Sequence, residues 1–402
     1  MTSAAVHAPG RPRKTLKQRP VDAQRLNAVL NHSFESMAAP FFVGMVATKD
    51  GVIYEGCAGH ASRGLRADAD TVMRAYSMTK AIASAAALIL VDRGELSMDA
   101  PVESVLPEFS KVKMLEGWDG QTPILREPRV KATVKHLATH TAGLEYEIWQ
   151  PDVARFLQTT KLPSVMSGKQ RSLFYPMTTE PGSQWGYGIS IDWLGRVIEA
   201  VSGLRIDKFL KRELLGPLGM VDTDVELRPH MRSRLASAFR RSADDVFEAI
   251  DLQLPSSPEF YAMGHALYTT PRDYMRFLRM VLSRGSLEGT RVLSETAVDL
   301  MLTNQIGELQ VRKLPSTAPK ASVDVDIFPT IAKSHTIGFF RTEQDLPGMR
   351  RAGSLFWAGA LNTHYWIDPT SDIAGLLMTQ TRPFAEPPFM EALEAFEWAV
   401  YN

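Results

Sequence analysis

Cysteine is almost missing from this chain: Cys57 is the single example in 402 residues. No internal disulfide can form, and no Cys/His cluster has zinc-ligand spacing, so a disulfide-stapled or zinc-ribbon fold is excluded and a reducing compartment is compatible. Charge surplus is missing too, with 45 basic against 45 acidic residues. A phosphate backbone selects a basic excess, so nucleic acid is not an expected partner. The longest apolar run, AIASAAALILV at 81–91, has eleven residues, about half of what a membrane-spanning helix needs. It reads as a buried helix, and no membrane partner is expected. The first twenty residues, MTSAAVHAPGRPRKTLKQRP, stay polar, basic and proline-bearing where a secretory signal would turn apolar. They read as a frayed tail, and a cytoplasmic location is the expectation. A G-x-S-x-G nucleophile elbow is absent; the nearest approach is Gly188-x-Ser190-x-Asp192, which argues against an α/β-hydrolase.

What is present fits a large globular enzyme. The 45% hydrophobic fraction supplies a sizeable core. Residues 41–55, FFVGMVATKDGVIYE, are two apolar runs around Asp50-Gly51, a hairpin signal. Residues 353–381 read as strand, turn, strand ahead of a helix over 388–400. Between these ends, 77–93, 134–139, 191–201, 206–215 and 271–284 carry helical spacing, with glycine stops at Gly94, Gly203 and Gly285. Residues 161–171 and 308–333 read as polar loops. The expected architecture is α/β plus α: an antiparallel sheet built from both chain ends and flanked by helices, with a mostly helical middle lobe. The expected division is a tail over 1–20 and one catalytic unit over 21–402. Within that unit the sheet lobe takes 21–75 and 265–402, and the helical lobe 76–264.

The chemistry begins at Ser77-Met78-Thr79-Lys80, where a polar approach gives way to the buried helix. Residues i and i+3 share a helix face, so Lys80 can reach the Ser77 hydroxyl, and the helix N-terminus offers unpaired N–H groups to an oxyanion. A neutral Lys80 at pH 7 needs its pKa well below the usual ~10.4, which requires burial and a second cation opposing its charge. In the loop 181–190, PGSQWGYGIS, Tyr187 arrives just before a helix, and its phenol can relay a proton. Packing under the loop is the alternative role for that ring. Further on, Trp357-Ala358-Gly359-Ala360 precedes a strand. Its small residues let backbone approach a substrate, so the Ala360 N–H can join that of Ser77 in an oxyanion hole. A plain strand-edge glycine is the alternative at Gly359.

These residues, with SMTKAIASAAALILVDRGELSMDAPVESVLPEF at 77–109, VKHLATHTAGL at 134–144, LLGPLGMVDT at 214–223 and FWAGALNTHYWIDP at 356–369, resemble the serine β-lactamase and penicillin-binding-protein superfamily. The closest likeness is to the family VIII carboxylesterases of class C β-lactamase fold. The S-x-x-K motif is the known signature of that superfamily. The resemblance implies Ser77 as acylated nucleophile, Lys80 as its activating partner, Tyr187 as proton shuttle, and Trp357-Ala358-Gly359 as counterpart of the lactamase Lys-Thr-Gly strand. Two departures matter. Ile189 stands where class C enzymes have the Asn of Tyr-x-Asn, and Trp357 replaces a cation that would pair with a β-lactam carboxylate. The expectation is therefore a serine hydrolase acting on short, uncharged carboxylic esters, with weak β-lactam hydrolysis and no metal or organic cofactor. Acyl transfer to a small alcohol, a class C-type β-lactamase, a peptidoglycan peptidase and a catalytically silent binding module remain alternatives. His140 reads as a loop-fixing residue and His364 as a packed one. Trp149, Trp185, Phe340, Phe356 and Trp357 are candidates to line an acyl or alcohol pocket, Trp357 foremost.

Overall fold

A computed structural model describes residues 21–242 and 244–402. The tail expected over 1–20 lies outside the described residues. Eight antiparallel strands form the central sheet: β1 (Phe41–Thr48), β2 (Gly51–Ser62), β3 (Leu65–Arg66), β4 (Lys333–His335), β5 (Phe340–Thr342), β6 (Leu355–Gly359), β7 (Thr363–Asp368) and β8 (Ile373–Met378). Their spatial order is β4-β5-β6-β7-β8-β1-β2-β3. The Asp50-Gly51 hairpin forms as expected, and β1 also pairs with β8, Val43 opposite Met378. The sheet is thus closed by strands from the two ends of the chain.

Strands β1, β7 and β8 are buried along nearly their whole length, as a sheet covered on both faces demands. Successive residues of β7 show the two cover layers. Tyr365 packs on Tyr274 of helix α4 (Pro271–Leu282), ring centroids 5.1 Å apart, and Trp366 packs on Phe396 of helix α5 (Pro387–Tyr401) at 6.3 Å. Neighbours on a strand point to opposite faces, so α4 and α5 lie on opposite sides. Helix α1 (Ala23–Glu35), which the apolar pattern did not reveal, packs beside α5 and is capped by Asp22, whose carboxylate accepts from the N–H groups of Gln24 and Arg25. Gly44 in β1 makes room for the Phe396 ring, which a side chain there would strike.

Helix α2 (Thr79–Asp92) is buried from Thr79 to Leu90 and packs against α3 (Ser190–Ser202). Both stop where expected: Gly94 and Gly203 take positive φ values of 69° and 67°, which glycine adopts without the Cβ penalty. The helix expected over 206–215 runs as Ile206–Leu210 and then widens into a π turn, Lys211–Leu215. The middle of the chain is less helical than expected. It holds a hairpin, Met114–Asp119 with Thr122–Arg126, and a second one, Ala238–Arg241 with Phe247–Ile250, which Thr381–Arg382 joins in parallel. These strands are largely open to solvent, so they lack the alternation that sequence patterning detects. Among the described residues no helix is long and apolar enough to cross a membrane.

One buried ion pair ties the loop between β5 and β6 to α5. The Arg350 Nε donates to Glu397 Oε1 at 2.7 Å, and both side chains are sealed from water. Removing one partner strands a buried charge, which costs about 3–5 kcal/mol. Glu397→Ala is expected to lower unfolding stability by that amount in urea titration, and a loss below ~1 kcal/mol would show that water relieves Arg350.

Candidate active site

The nucleophile turn is built from the inside out. Arg74 pairs across to Tyr268, and the Ala75 N–H donates to Leu267 O at 2.9 Å. Tyr76 then takes φ 45°, a left-handed conformation that costs a bulky residue of order 1–3 kcal/mol. Burial of its ring against Val72, Tyr268 and Leu361 opposes that strain. The chain passes through the tight turn Tyr76–Met78 before α2 begins at Thr79. Ser77 therefore sits at the helix mouth, two residues ahead of the α-helix proper, and is half-buried.

Lys80 lies one turn inward and is fully enclosed. Its amine makes three contacts: Ser77 Oγ at 3.1 Å, Tyr146 Oη at 3.0 Å and the Gly264 carbonyl at 2.9 Å. Burial pushes its pKa down, and the charge of Asp192 pulls it back up. Asp192 is equally enclosed, so burial raises its own pKa while Lys80 opposes the rise. Gly264 links the two groups, its N–H donating to Asp192 Oδ1 at 2.8 Å while its carbonyl receives Lys80. The second cation expected to oppose the Lys80 charge is not what the structure supplies. The charged group acting on Lys80 is a carboxylate, and desolvation alone drives the pKa down. Neighbouring His265, brought down to about 3 mainly by burial and then by the Lys80 charge, stays neutral.

Tyr187 reaches the same point from the loop ahead of α3. Its Oη accepts from Trp357 Nε1 at 2.7 Å and faces the Ser77 hydroxyl, and its ring centroid lies 4.7 Å from the Lys80 amine. Burial raises the phenol's pKa, so it is protonated at neutral pH. The loop carrying it is fixed by His140, whose carbonyl accepts from Gly186 N at 2.9 Å and whose Nδ1 accepts from Gly188 N at 3.4 Å. Burial holds His140 well below its ordinary pKa, and it packs 4.7 Å from the Tyr187 ring. The loop-fixing role expected of it is the one it performs. Gly188 lies against the backbone of Leu144 and Glu145 with no room for a Cβ. That contact sets Tyr146 beside Tyr187, ring centroids 5.6 Å apart.

Tyr146 is the member that sequence reasoning missed. It lies in an irregular loop with no spacing relation to Ser77, and the Gly188 contact, with its own N–H donating to the Tyr187 carbonyl at 3.1 Å, brings it to Lys80. The role of Trp357 also differs from expectation. It is a hydrogen-bond donor to the Tyr187 phenol as well as an apolar surface, stacked on Phe340 at 3.8 Å with an interplanar angle of 11°. Trp149 and Trp185 pack on Tyr187 at 5.6 and 6.3 Å, and Phe356 backs Phe340 at 5.7 Å. All four are buried, so they brace Tyr187 and Trp357. His364 is packed as expected, stacked on Phe384 at 5.6 Å and brought down to about 3 by burial. At the end of β6, Gly359 lies against the Ala75 carbonyl with no space for a side chain, and its N–H donates to Thr363 Oγ1 at 3.1 Å. Ala360 follows directly, next to the nucleophile turn. Among the described residues no group of three or more His, Cys, Asp or Glu side chains is placed to hold a metal.

A serine, a buried amine and a phenol gathered at the mouth of an enclosed helix beside an antiparallel sheet define a serine acyl-transfer enzyme of β-lactamase fold. The chain belongs to the Beta-lactamase family, whose family model matches residues 31–397. It is 31% identical over 343 residues to monacolin J acid methylbutanoyltransferase of Aspergillus terreus, covering 83% of this chain and 82% of the relative. It is 28% identical to lovastatin esterase of Penicillium rubens, covering 76% and 79%. Among solved structures, unliganded simvastatin synthase of Aspergillus terreus superposes with a TM-score of 0.81 at 28% identity over 94% of this chain and 97% of that one.

The Lys80–Asp192 coupling has a readable sign. If neutral Lys80 is the base, kcat/KM is present above its pKa and lost as pH falls through it. Asp192 raises that pKa, so Asp192→Asn is expected to move the acidic limb of the kcat/KM profile to lower pH. An unmoved or upward-shifted limb would refute electrostatic control by Asp192.

Proposed function

We propose that the protein cleaves short carboxylic esters through an acyl-enzyme on Ser77. The observation carrying this reading is the placement of Ser77 Oγ between the Lys80 amine at 3.1 Å and the Tyr187 phenol. Neutral Lys80 takes the Ser77 proton as Oγ forms a bond to the ester carbonyl carbon. The oxyanion of the tetrahedral intermediate rests on the N–H groups of Ser77 and Ala360. As the ester C–O bond breaks, Tyr187 gives its proton to the departing alkoxide and recovers one from Lys80. The Trp357 N–H, 2.7 Å from the phenol oxygen, steadies the transient phenolate. Water then repeats the sequence in reverse and releases the acid. Trp357 and Ile189 support an ester over a β-lactam, since neither offers the cation or the amide that a lactam's carboxylate and side chain would engage.

A second reading is transfer of the acyl group to an alcohol in place of water. It is favoured by the relatives, one named a methylbutanoyltransferase and one an esterase at similar identity. Ser77→Ala is expected to abolish turnover of p-nitrophenyl butyrate with the fold intact, and retained turnover would remove the assignment. Tyr187→Phe is expected to lower kcat more than about 10²-fold on an ethyl ester. On the nitrophenyl ester, whose leaving group needs no proton, the loss is smaller; equal losses would return Tyr187 to packing. Adding a primary alcohol separates the two readings, because transfer yields a new ester and hydrolysis the free acid, while nitrocefin is turned over more slowly than either ester.

A further inference from the structure

The three groups around the Lys80 amine are chemically unequal. The Gly264 carbonyl, 2.9 Å away, only accepts, so it always takes an N–H. Ser77 Oγ at 3.1 Å and Tyr146 Oη at 3.0 Å belong to hydroxyls, which either donate or accept. A neutral amine brings two N–H groups and one lone pair. With one N–H spent on Gly264, the other N–H and the lone pair are divided between the serine and the phenol. In one arrangement Lys80 donates to Tyr146 and its lone pair faces the Ser77 O–H, as a base requires. In the other, Tyr146 donates to the lone pair and Lys80 donates to Ser77, so the amine is neutral yet unable to take the serine proton.

What selects between them is the direction of the Tyr146 O–H. The ring itself is fixed, buried against Trp149 at 6.1 Å and Tyr187 at 5.6 Å between centroids. Gly264 has no side chain, and a Cβ there would stand 2.7 Å from Tyr146 Oη and 2.8 Å from Asp192 Oδ2. The phenol oxygen and the carboxylate oxygen therefore converge on one small space beside the Gly264 Cα. Asp192 Oδ1 is engaged by the Gly264 N–H at 2.8 Å, whereas Oδ2, sealed from water, has no hydrogen-bond partner. A bare carboxylate oxygen attracts the positive end of a nearby O–H dipole, and in a site closed to water that attraction keeps much of its strength. Burial, and then the Asp192 charge, raise the pKa of the Tyr146 phenol, so it keeps the proton that is being turned. The other titratable groups facing Lys80 offer no rival pull: His140 and His265 are held low by burial, and Tyr187 Oη already accepts from Trp357.

We propose that Tyr146 is a positioning residue for acylation: with its O–H turned towards Asp192, it takes one N–H of neutral Lys80 and so aims the amine's lone pair at Ser77. As Oγ bonds to the carbonyl carbon, the Ser77 proton passes to that lone pair. The ammonium that results has three N–H groups, and the three acceptors it needs are already in place. Direction is fixed at the far end as well, because the Trp357 indole, 2.7 Å from Tyr187 Oη, only donates and leaves the Tyr187 O–H free for Ser77. This role rests on the Ser77 acyl-enzyme and adds the group that orients its base.

The test follows two rates across pH on the full chain: labelling of Ser77 by a fluorophosphonate, and turnover of p-nitrophenyl butyrate. Wild type, Tyr146→Phe, Asp192→Asn and the double variant are compared. Tyr146→Phe keeps the ring and removes the oxygen. It is expected to lower the pH-independent plateau of both rates at least about tenfold, with KM little changed. Because the ammonium loses one of its acceptors, the acidic limb is expected to move to lower pH. A merely structural loosening would admit water to the amine and move that limb upwards. A limb that stays or rises in Tyr146→Phe overturns the proposal, as does an unchanged plateau in either single variant. In the Tyr146→Phe background no O–H remains to be turned, so adding Asp192→Asn is expected to leave the plateau where it was; losses that multiply overturn the link to Asp192. Labelling that depends on Tyr146 while no ester is turned over would remove the ester reading and leave this role standing. Ester turnover with labelling indifferent to Tyr146 would do the reverse.

Discussion

An amine without water is the constraint from which the rest of this site follows. Lys80 is enclosed on all sides, so each of its N–H directions must end on a protein acceptor, and it has three: the nucleophile, the Tyr146 phenol and the Gly264 carbonyl. Each acceptor belongs to a different stretch of chain. The turn ahead of α2 supplies Ser77, the loop pressed under Gly188 supplies Tyr146, and the segment leading into α4 supplies Gly264. Desolvation makes the amine a base near neutral pH, and Asp192 limits how far that goes. The same enclosure holds the pKa values of His140 and His265 down, so neither imidazole competes strongly with the amine for a proton.

The two phenols divide the work. Tyr146 anchors the amine, whereas Tyr187 sits across the Ser77 hydroxyl with Trp357 on its oxygen. Trp357 is stacked on Phe340 and hence rigid. Replacing a lactamase-type lysine by tryptophan at this strand position therefore removes a charge from the substrate side and adds a fixed donor on the catalytic side. One side chain thus supplies both an apolar surface and the hydrogen bond that holds the Tyr187 phenol.

Much of this was legible in the chain. The Ser77–Lys80 spacing, the Asp50-Gly51 hairpin and the glycine-stopped helices depend on local rules, and each appears where those rules put it. Tyr187 was legible because it precedes a helix in a turn-rich loop. Tyr146 was not, since its meeting with Lys80 depends on two backbones touching at Gly188, and nothing local to Leu144 or Glu145 announces that. Asp192 was hidden by its place on an ordinary amphipathic helix, where a carboxylate reads as solvated. The solvent-open hairpins of the middle segment escaped because strands wet on both faces carry no apolar alternation. Pairing of β1 with β8 followed from both ends looking strand-like, and the family resemblance supplied the rest of the architecture.

The position of β1 in the sheet has a bearing on how the molecule is made. Val43 and Met378 face one another, so most of the polypeptide leaves the ribosome between the two strands. Until residues 355–378 emerge, the apolar hairpin 41–62 waits with one flank unpaired, and the Gly359 shelf under Ala75 is missing. Assembly of the site is thereby deferred until residues 355–378 have been made, and until then the flank of β1 is an open strand edge.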